Sequence, residues 1–537
     1  MQQDLPSSSR DGKKLHVVFC HPDLGIGGAE RLIVDAAAEL AARGHSVRVF
    51  TAHHDPHRCF PETIDGTFPV HVHGSFLPRH IAGRFQAVCA YLRCLWAALC
   101  IVISVWLRWI PAVDAIITDQ VSAVHPILRL LPAKILFYCH FPDLLLAQRG
   151  SWLRSLYRAP IDWVEQVTTG MADTIVVNSH FTAATFASTF PSLASHGIRP
   201  AVLYPAVALD SPPPASSATT ASTAIDATAA SRGGSGTLGP AFDEAEKLGL
   251  DLNSPFFLSI NPYERKKEIA TAVSALGLLT RSSAHTGASD SQDATAAALA
   301  KGQRPRLVVA GGCDARVREN VEYLQELKQL AVMEGVASDV LFLTSISDSL
   351  KAQLLSHCTA VVYTPPCHWK PWQQASQCWH ATVEDPQRAY WTAQQASYAV
   401  QTQQPLLCCI DPPTPPSSSL PHLLSPPPNP APASPSTLSP SSPQNEHFGI
   451  VPLEAMAASK PVLACNSGGP TESILDGATG FLCAPNPSSF AAALATLWAD
   501  PSRAASMGLV ARVHVEEQFS RKVFGDRLQE ILWNMCL

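Results

Sequence analysis

Two glutamates eight positions apart, Glu446 and Glu454, stand in the segment Asn445 to Met456 (NEHFGIVPLEAM), where a loop enters a helix. Pro452 suits a first helical turn, so the helix is expected to begin near it. Glu446 then lies on the loop facing a cleft and Glu454 about one turn into the helix. The unpaired amides of Phe448, Gly449 and Ile450 are able to donate to a phosphate. A second feature, Gly25 to Glu30 (GIGGAE), follows an apolar run and opens a helix, which suits phosphate contact or, alternatively, a tight packing turn. Its spacing is not Gly-x-Gly-x-x-Gly and no acidic residue closes the next strand, which disfavours a nicotinamide enzyme. A third, Asn261 to Lys267 (NPYERKK), sets Arg265, Lys266 and Lys267 at the carboxyl end of a strand, either as a diphosphate clamp or as a solvated basic loop. His140, taken alone, reads as a core histidine at a strand end. Cys358, Cys367, His368, Cys378 and His380 lack zinc-ligand spacing and nothing resembles Asp-x-Asp, so no metal is expected.

These groups need rigid strand ends to hold them. Leu15 to Cys20 reads as a buried parallel strand, Glu30 to Ala42 as a helix stopped at Gly44, and Ser46 to Thr51 as the next strand. Val113 to Thr118, Lys134 to His140 and Asp173 to Asn178 continue the pattern, with a helix capped at Ser179. A second α/β series runs through Phe256 to Ile260, Arg306 to Ala310, Val340 to Leu343 and Ala360 to Tyr363. The division is therefore a first Rossmann-like domain at 15–208, a disordered linker at 209–250, a second domain at 251–510 and a terminal helix at 511–537. Low-complexity composition marks a loop at 282–302 and an insert at 366–443, the latter with thirteen prolines between Pro412 and Pro443.

At 537 residues the chain has room for two cores. Only 15% of residues are charged and the net charge is -6, which argues against a nucleic-acid partner. The 15 cysteines are scattered through apolar runs and read as reduced thiols. Met1 to Lys14 lacks the apolar stretch of a secretory signal, so a cytosolic catalytic face is expected. Leu95 to Leu107 is a thirteen-residue uncharged run between Arg93 and Arg108, too short to span a bilayer. It suits either a buried core helix or one lying in a membrane surface.

The motif Glu446 to Glu454 resembles the Glu-x7-Glu signature of retaining GT-B glycosyltransferases. The phrases HPDLGIGGAERLIVDAA (from His21), FYCHFPD (from Phe137), LYRAPIDWVE (from Leu156), TTGMADTIVVNSHFTA (from Thr168), FFLSINPYERKK (from Phe256) and NEHFGIVPLEAM are most similar, within that class, to the α-1,3/1,6-mannosyltransferases of asparagine-linked glycosylation. Outside the low-complexity stretches the resemblance covers nearly all of the chain. It implies an α/β GT-B fold, two Rossmann-like domains facing across a cleft, the first binding acceptor and the second donor. It implies transfer of mannose from GDP-mannose, with retention, to a dolichyl-diphosphate-linked mannosyl-chitobiose, first α-1,3 and then α-1,6. The expected setting is the cytosolic face of the endoplasmic reticulum membrane, with the membrane surface and other mannosyltransferases of the pathway as partners and no metal cofactor.

By the same resemblance Gly27 and Gly28 approach the donor phosphate, Arg265, Lys266 and Lys267 clamp it, Glu446 touches the transferred mannose, Glu454 holds the ribose, and His140 lies beside the reacting sugar. Phe519 to Leu537 forms a helix returning to the first domain. Two features depart from the family. Pro262 stands where an arginine is usual, so one phosphate contact is either lost or taken over by Arg265. The insert parts Tyr363 to Pro365 from Asn445. Alternative readings are a GT-B transferase with another lipid or sugar acceptor, or an inactive product of missplicing.

Overall fold

The computed structural model describes residues 13–78, 86–146, 152–209, 248, 250–285, 304–366 and 448–536. The expected low-complexity stretches at 209–250, 282–302 and 366–443 fall almost wholly outside these. So do Glu446 and the remainder of its loop before Phe448.

Runs of buried β-branched and aromatic residues form two all-parallel sheets, as expected of strands covered on both faces by helices. The first contains β1 (His16–Leu24), β2 (Ser46–His54), β3 (Val70–Val72), β4 (Ala115–Asp119), β5 (Lys134–Cys139), β6 (Thr174–Val177) and β7 (Ala201–Val202). Their order is β3-β2-β1-β4-β5-β6-β7. The second contains β8 (Phe257–Ile260), β9 (Leu307–Gly311), β10 (Val340–Thr344), β11 (Ala360–Tyr363), β12 (Val462–Cys465) and β13 (Gly480–Cys483), in the order β10-β9-β8-β11-β12-β13. In each sheet the strand order reverses beside the first strand, at β1/β4 and at β8/β11. Crevices for ligands open at such reversals, outside the carboxyl ends of the strands.

Strand β1 runs four residues past its expected end, because pairing with β2 continues to Leu24 opposite His54. Helix α1 (Gly28–Ala42) starts directly after the glycine loop. Helix α2 (Gln86–Trp106) is longer than the uncharged run within it, at 21 residues. Arg93, expected to bound that run, is instead buried inside the helix and paired with Asp23 of β1 at 2.5 Å. By length and composition Val88–Trp106 therefore reaches the size of a membrane span, correcting the reading of a segment too short for one. One side of it is core: Cys94, Ala98, Ile101 and Val102 join Val18, Phe50 and Ile116 in a single cluster. The other side leaves Leu92, Trp96 and Trp106 exposed, near Phe76 and Trp109.

Helices α3 (Trp152–Thr169) and α4 (His180–Thr189) complete the first half. Ser179 caps α4 as expected, its hydroxyl accepting from the Thr182 amide at 3.1 Å. A buried histidine ties α3 to the sheet. His125 Nδ1–H donates to the Thr168 carbonyl at 2.7 Å, and its Nε2 accepts from the Thr118 hydroxyl at 2.9 Å. Burial pushes the His125 imidazole down to about 4, below its ordinary value of 6.5. A folded-state value below the unfolded one gives stability that is present above the unfolded value and is lost as pH falls through the folded one. Between pH 6.5 and about 4 this histidine should thus remove roughly 3 kcal/mol. Comparing urea unfolding of the parent and His125→Gln over that window tests this, and the variant should show the flatter pH dependence.

In the second half, α5 (Ile269–His285) runs four residues into the segment read as a loop at 282–302. Helices α6 (Arg318–Met333), α7 (Asp348–His357), α8 (Ile450–Ala457), α9 (Pro487–Ala499) and α10 (Pro501–Gln518) cover the sheet. Leu250 and Leu252 are buried in its core beside Phe256. Helix α11 (Arg521–Cys536) crosses back to the first half and buries Phe524, Leu528 and Leu532 against Leu32, Ala36 and Leu40 of α1. Arg521 binds Asp35 at 2.9 Å, and Arg43 of α1 binds Asp526 at 2.8 Å. The described cysteines Cys20, Cys89, Cys94, Cys139, Cys358, Cys465 and Cys483 are buried free thiols.

Candidate active site

The glycine loop stands at the carboxyl end of β1. Gly27 is the N-cap of α1 and Gly28 its first residue, and a Cβ at Gly28 would meet nothing within 4 Å. That open backbone suits close approach by a phosphate, and the helix end adds partial positive charge.

The three cations of the basic turn have different surroundings. Tyr263 is fully buried, its hydroxyl 3.0 Å and 2.9 Å from the carbonyls of Val309 and Leu343, and it fixes the turn on the ends of β9 and β10. Beyond it Arg265 is drawn outward to α6, 2.5 Å from Glu326 and 3.7 Å from Glu322, over the ring of Tyr323. Arg265 is thus already neutralised by two carboxylates. Lys266 pairs with Glu264 at 2.7 Å. Lys267 is half-buried and belongs to a different neighbourhood, because its carbonyl accepts from the Thr364 hydroxyl at 2.8 Å. Thr364 directly follows β11, so this bond brings Lys267 to the strand end from which the glutamate loop is built.

Helix α8 starts at Ile450, two residues before the expected Pro452, with Gly449 as N-cap at φ +80°. A left-handed backbone there favours glycine, and a Cβ would also lie 2.7 Å from the Tyr363 hydroxyl. Residues on either side of 367–447 therefore touch. Gly469 is confined too, since a Cβ on it would sit 2.3 Å from both the Cα and the carbonyl oxygen of Phe448. Phe448 is buried next to Tyr204 and Phe519, so the loop before α8 is pressed between β11, the Gly468-Gly469 turn and the first half of the chain.

Glu454 lies one turn into α8. One oxygen accepts from Lys351 of α7 at 2.8 Å, while the other, Oε2, is buried with no partner among the described residues. Buried carboxylate oxygens without a donor are uncommon, and a hydroxyl-bearing ligand would satisfy this one. Lys351 has no motif around it and was missed from sequence. Also missed was an open cleft of about 450 Å³ at the ends of β8, β9 and β10, lined by Pro262, Gly312, Asp314, Asn320 and Ser345. Asn320 holds it in shape, donating to the Tyr263 carbonyl at 2.9 Å and accepting from the Asp314 amide at 3.1 Å.

His140 follows β5 and its side chain is partly exposed, at 22%. It is not a solitary core histidine. Its Nε2 lies 3.1 Å from Oδ2 of the buried Asp119, whose Oδ1 lies 2.8 Å from Nδ1 of the buried His21. The halves are joined beside this site by Glu472. Its carboxylate accepts from the His180 and Phe181 amides at the start of α4, both at 2.7 Å, and from the Tyr204 hydroxyl at 3.0 Å.

Two Rossmann-like halves with phosphate-ready backbone on one and a lysine and carboxylate on the other define a glycosyltransferase of the GT-B class. The fold is shared with solved structures. Sucrose-phosphate synthase from Thermosynechococcus elongatus matches with TM-score 0.57 at 16% identity, over 96% of this chain and 98% of that one. The catalytic domain of starch synthase IV from Arabidopsis thaliana, bound to ADP and acarbose, matches with TM-score 0.57 at 13% identity, over 98% and 99%. Residues 26–210 match the family Glycosyltransferase Family 4, and residues 434–514 match Glycosyl transferases group 1. Full-length relatives agree. The alpha-1,3/1,6-mannosyltransferase ALG2 of Homo sapiens is 40% identical over 96% of this chain and 95% of its own length. The ALG2 enzymes of Dictyostelium discoideum and Saccharomyces cerevisiae are 35% and 32% identical, each over 97% of this chain. The chain belongs to the ALG2 alpha-1,3/1,6-mannosyltransferase family.

Proposed function

We propose that this protein transfers mannose from GDP-mannose, with retention, to a dolichyl-diphosphate-linked mannosyl-chitobiose, making the α-1,3 and then the α-1,6 linkage during N-glycan precursor assembly. The observation that carries the donor half is the buried Oε2 of Glu454, which has no partner among the described residues and suits a ribose hydroxyl. Glycosyl transfer builds positive charge on the sugar and negative charge on the departing diphosphate. Lys267, the amides near Phe448 to Ile450, the glycine loop at Gly27 and the open backbone at Gly28 meet that anion, so the reaction needs no bound metal. Glu446, outside the described residues, is assigned to the mannose, and His140 to the reacting sugar from the other side of the cleft. The cleft at Pro262, Asp314 and Ser345 takes the nucleoside end of the donor.

The setting is the cytosolic face of the endoplasmic reticulum membrane, where other mannosyltransferases of the pathway act on the same lipid-linked chain. Supporting a membrane-surface site for the acceptor, Leu92, Trp96, Trp106 and Trp109 expose aromatic and aliphatic side chains beside the first domain. Purified protein is to be assayed with GDP-mannose and a phytanyl-diphosphate-linked mannosyl-chitobiose, with and without EDTA. Product carrying two added mannoses, undiminished by EDTA, is expected. Absence of product where a control mannosyltransferase is active would sink the assignment, and loss of product on chelation would sink the metal-free mechanism. Glu454→Gln should raise the donor KM by roughly tenfold with a smaller effect on kcat, since a ribose contact acts in ground and transition states alike.

A further inference from the structure

His21 is one of the most enclosed polar side chains in the protein, at 1% exposure, and nothing in the transfer chemistry above uses it. Its two ring nitrogens face two acceptors. Nδ1 is 2.8 Å from Asp119 Oδ1, and Nε2 is 3.0 Å from the Asp23 carbonyl. A carbonyl accepts only, and so does an ionised carboxylate, so both nitrogens must carry hydrogen. Burial works against a charge on either partner. For Asp119, however, the His21 charge and the hydrogen bonds from both histidines prevail and hold its carboxyl at about 2. For His21, burial is outweighed by the charge and hydrogen bond of Asp119, with help from Glu30 and the Asp23 carbonyl, which together raise it.

The other oxygen of Asp119, Oδ2, must then accept from His140 Nε2–H at 3.1 Å, which makes Nδ1 the remaining acceptor of that ring. Strand register explains how the group assembles: Cys20 of β1 lies opposite Thr118 of β4, and Asp119 lies opposite Tyr138 of β5, so the three strand ends present neighbouring side chains. The surroundings contribute Glu30 from α1, Cys94 and Arg93 from α2, the latter held on Asp23, and Tyr138 from β5, whose ring lies 4.7 Å from that of His140.

We propose that His21 is a resident imidazolium that cancels the charge of Asp119, so that Asp119 orients His140 as its Nε2–H tautomer with Nδ1 offered to a sugar hydroxyl. His21 and Asp119 are positioning residues, and this role rests on the reading of His140 as a neighbour of the reacting sugar. Without His21, an uncompensated anion stands beside His140 and draws a proton onto the nitrogen that should accept. Without Asp119, nothing selects the tautomer.

The decisive measurement is made on the full chain labelled with 15N-histidine, read by two-bond nitrogen–proton spectra from pH 6 to 8.5, with His21→Gln and His140→Gln for assignment. His21 should show two protonated nitrogens throughout, and His140 in its singly protonated form should carry that proton on Nε2 and leave Nδ1 bare. A bare nitrogen on His21 at pH 7, or the opposite tautomer on His140, overturns the proposal. In turnover assays His21→Gln should lower kcat on the order of tenfold, leave donor KM within about twofold, and move the acid limb of the kcat profile up by about one pH unit. A uniform loss with an unmoved limb would mean that His21 merely supports the fold, and would also overturn it. Full activity in His140→Gln would instead defeat the placement of the sugar, while the spectra still decide the charge of His21.

Discussion

Lys267→Ala should turn over about 100 to 1,000 times more slowly than the parent chain while melting at nearly the same temperature. The neighbouring cations do not compensate, because Arg265 is bound to Glu326 and Lys266 to Glu264. The substitution keeps the backbone bonds of the turn, in which the Lys267 amide donates to the Glu264 carbonyl at 2.9 Å and the Lys267 carbonyl accepts from the Thr364 hydroxyl. In the proposed donor placement, what disappears is a cation preorganised where the diphosphate gains charge, an interaction that strengthens as the glycosidic bond breaks. The loss should therefore fall on kcat, with donor KM changing less. Radiolabelled mannose transfer and a thermal melt measure both sides, and parental turnover in a folded variant would refute the role.

Gly469→Ala should lose on the order of 100-fold in activity and roughly 5 °C in Tm, for a different reason. The added methyl would stand 2.3 Å from the backbone of Phe448, and backbone cannot rotate aside as a side chain does. Either the Gly468-Gly469 turn or the loop ahead of α8 has to move. Overpacking of this kind costs about 1–3 kcal/mol, and the displaced loop carries Gly449 and the amides assigned to phosphate. Unchanged kinetics would show that this loop tolerates displacement and so is not the donor platform.

The α/β order, the capped start of α4, the glycine loop and the entry to α8 were legible because each rests on local signals: apolar runs, a capping serine, glycines at helix ends. What sequence could not supply is what parallel sheets bring together at long range. Arg265 meets Glu326, 61 residues on, and only the packing of α6 beside the basic turn brings that carboxylate to it. His21 and Asp119 are 98 residues apart, yet adjacent strands make them partners. Arg93 read as the polar boundary of a short apolar run. It lies inside α2 because Asp23 meets its charge, a compensation invisible from the helix's own residues. Lys351 carries no motif at all and earns notice only through the oxygen of Glu454 that it binds.

The crossing of α11 has a consequence for how the protein is made. The first half cannot finish its core from its own residues, because Phe524, Leu528 and Leu532 fill the groove over α1. Its last strand, β7, ends at Val202, whereas α11 begins at Arg521. At roughly 5 to 20 residues per second a ribosome needs on the order of 15 to 60 s to cover that interval. Throughout that time Leu32, Ala36 and Leu40 have no covering helix, and the groove over α1 stays open to solvent until the last residues of the chain are made.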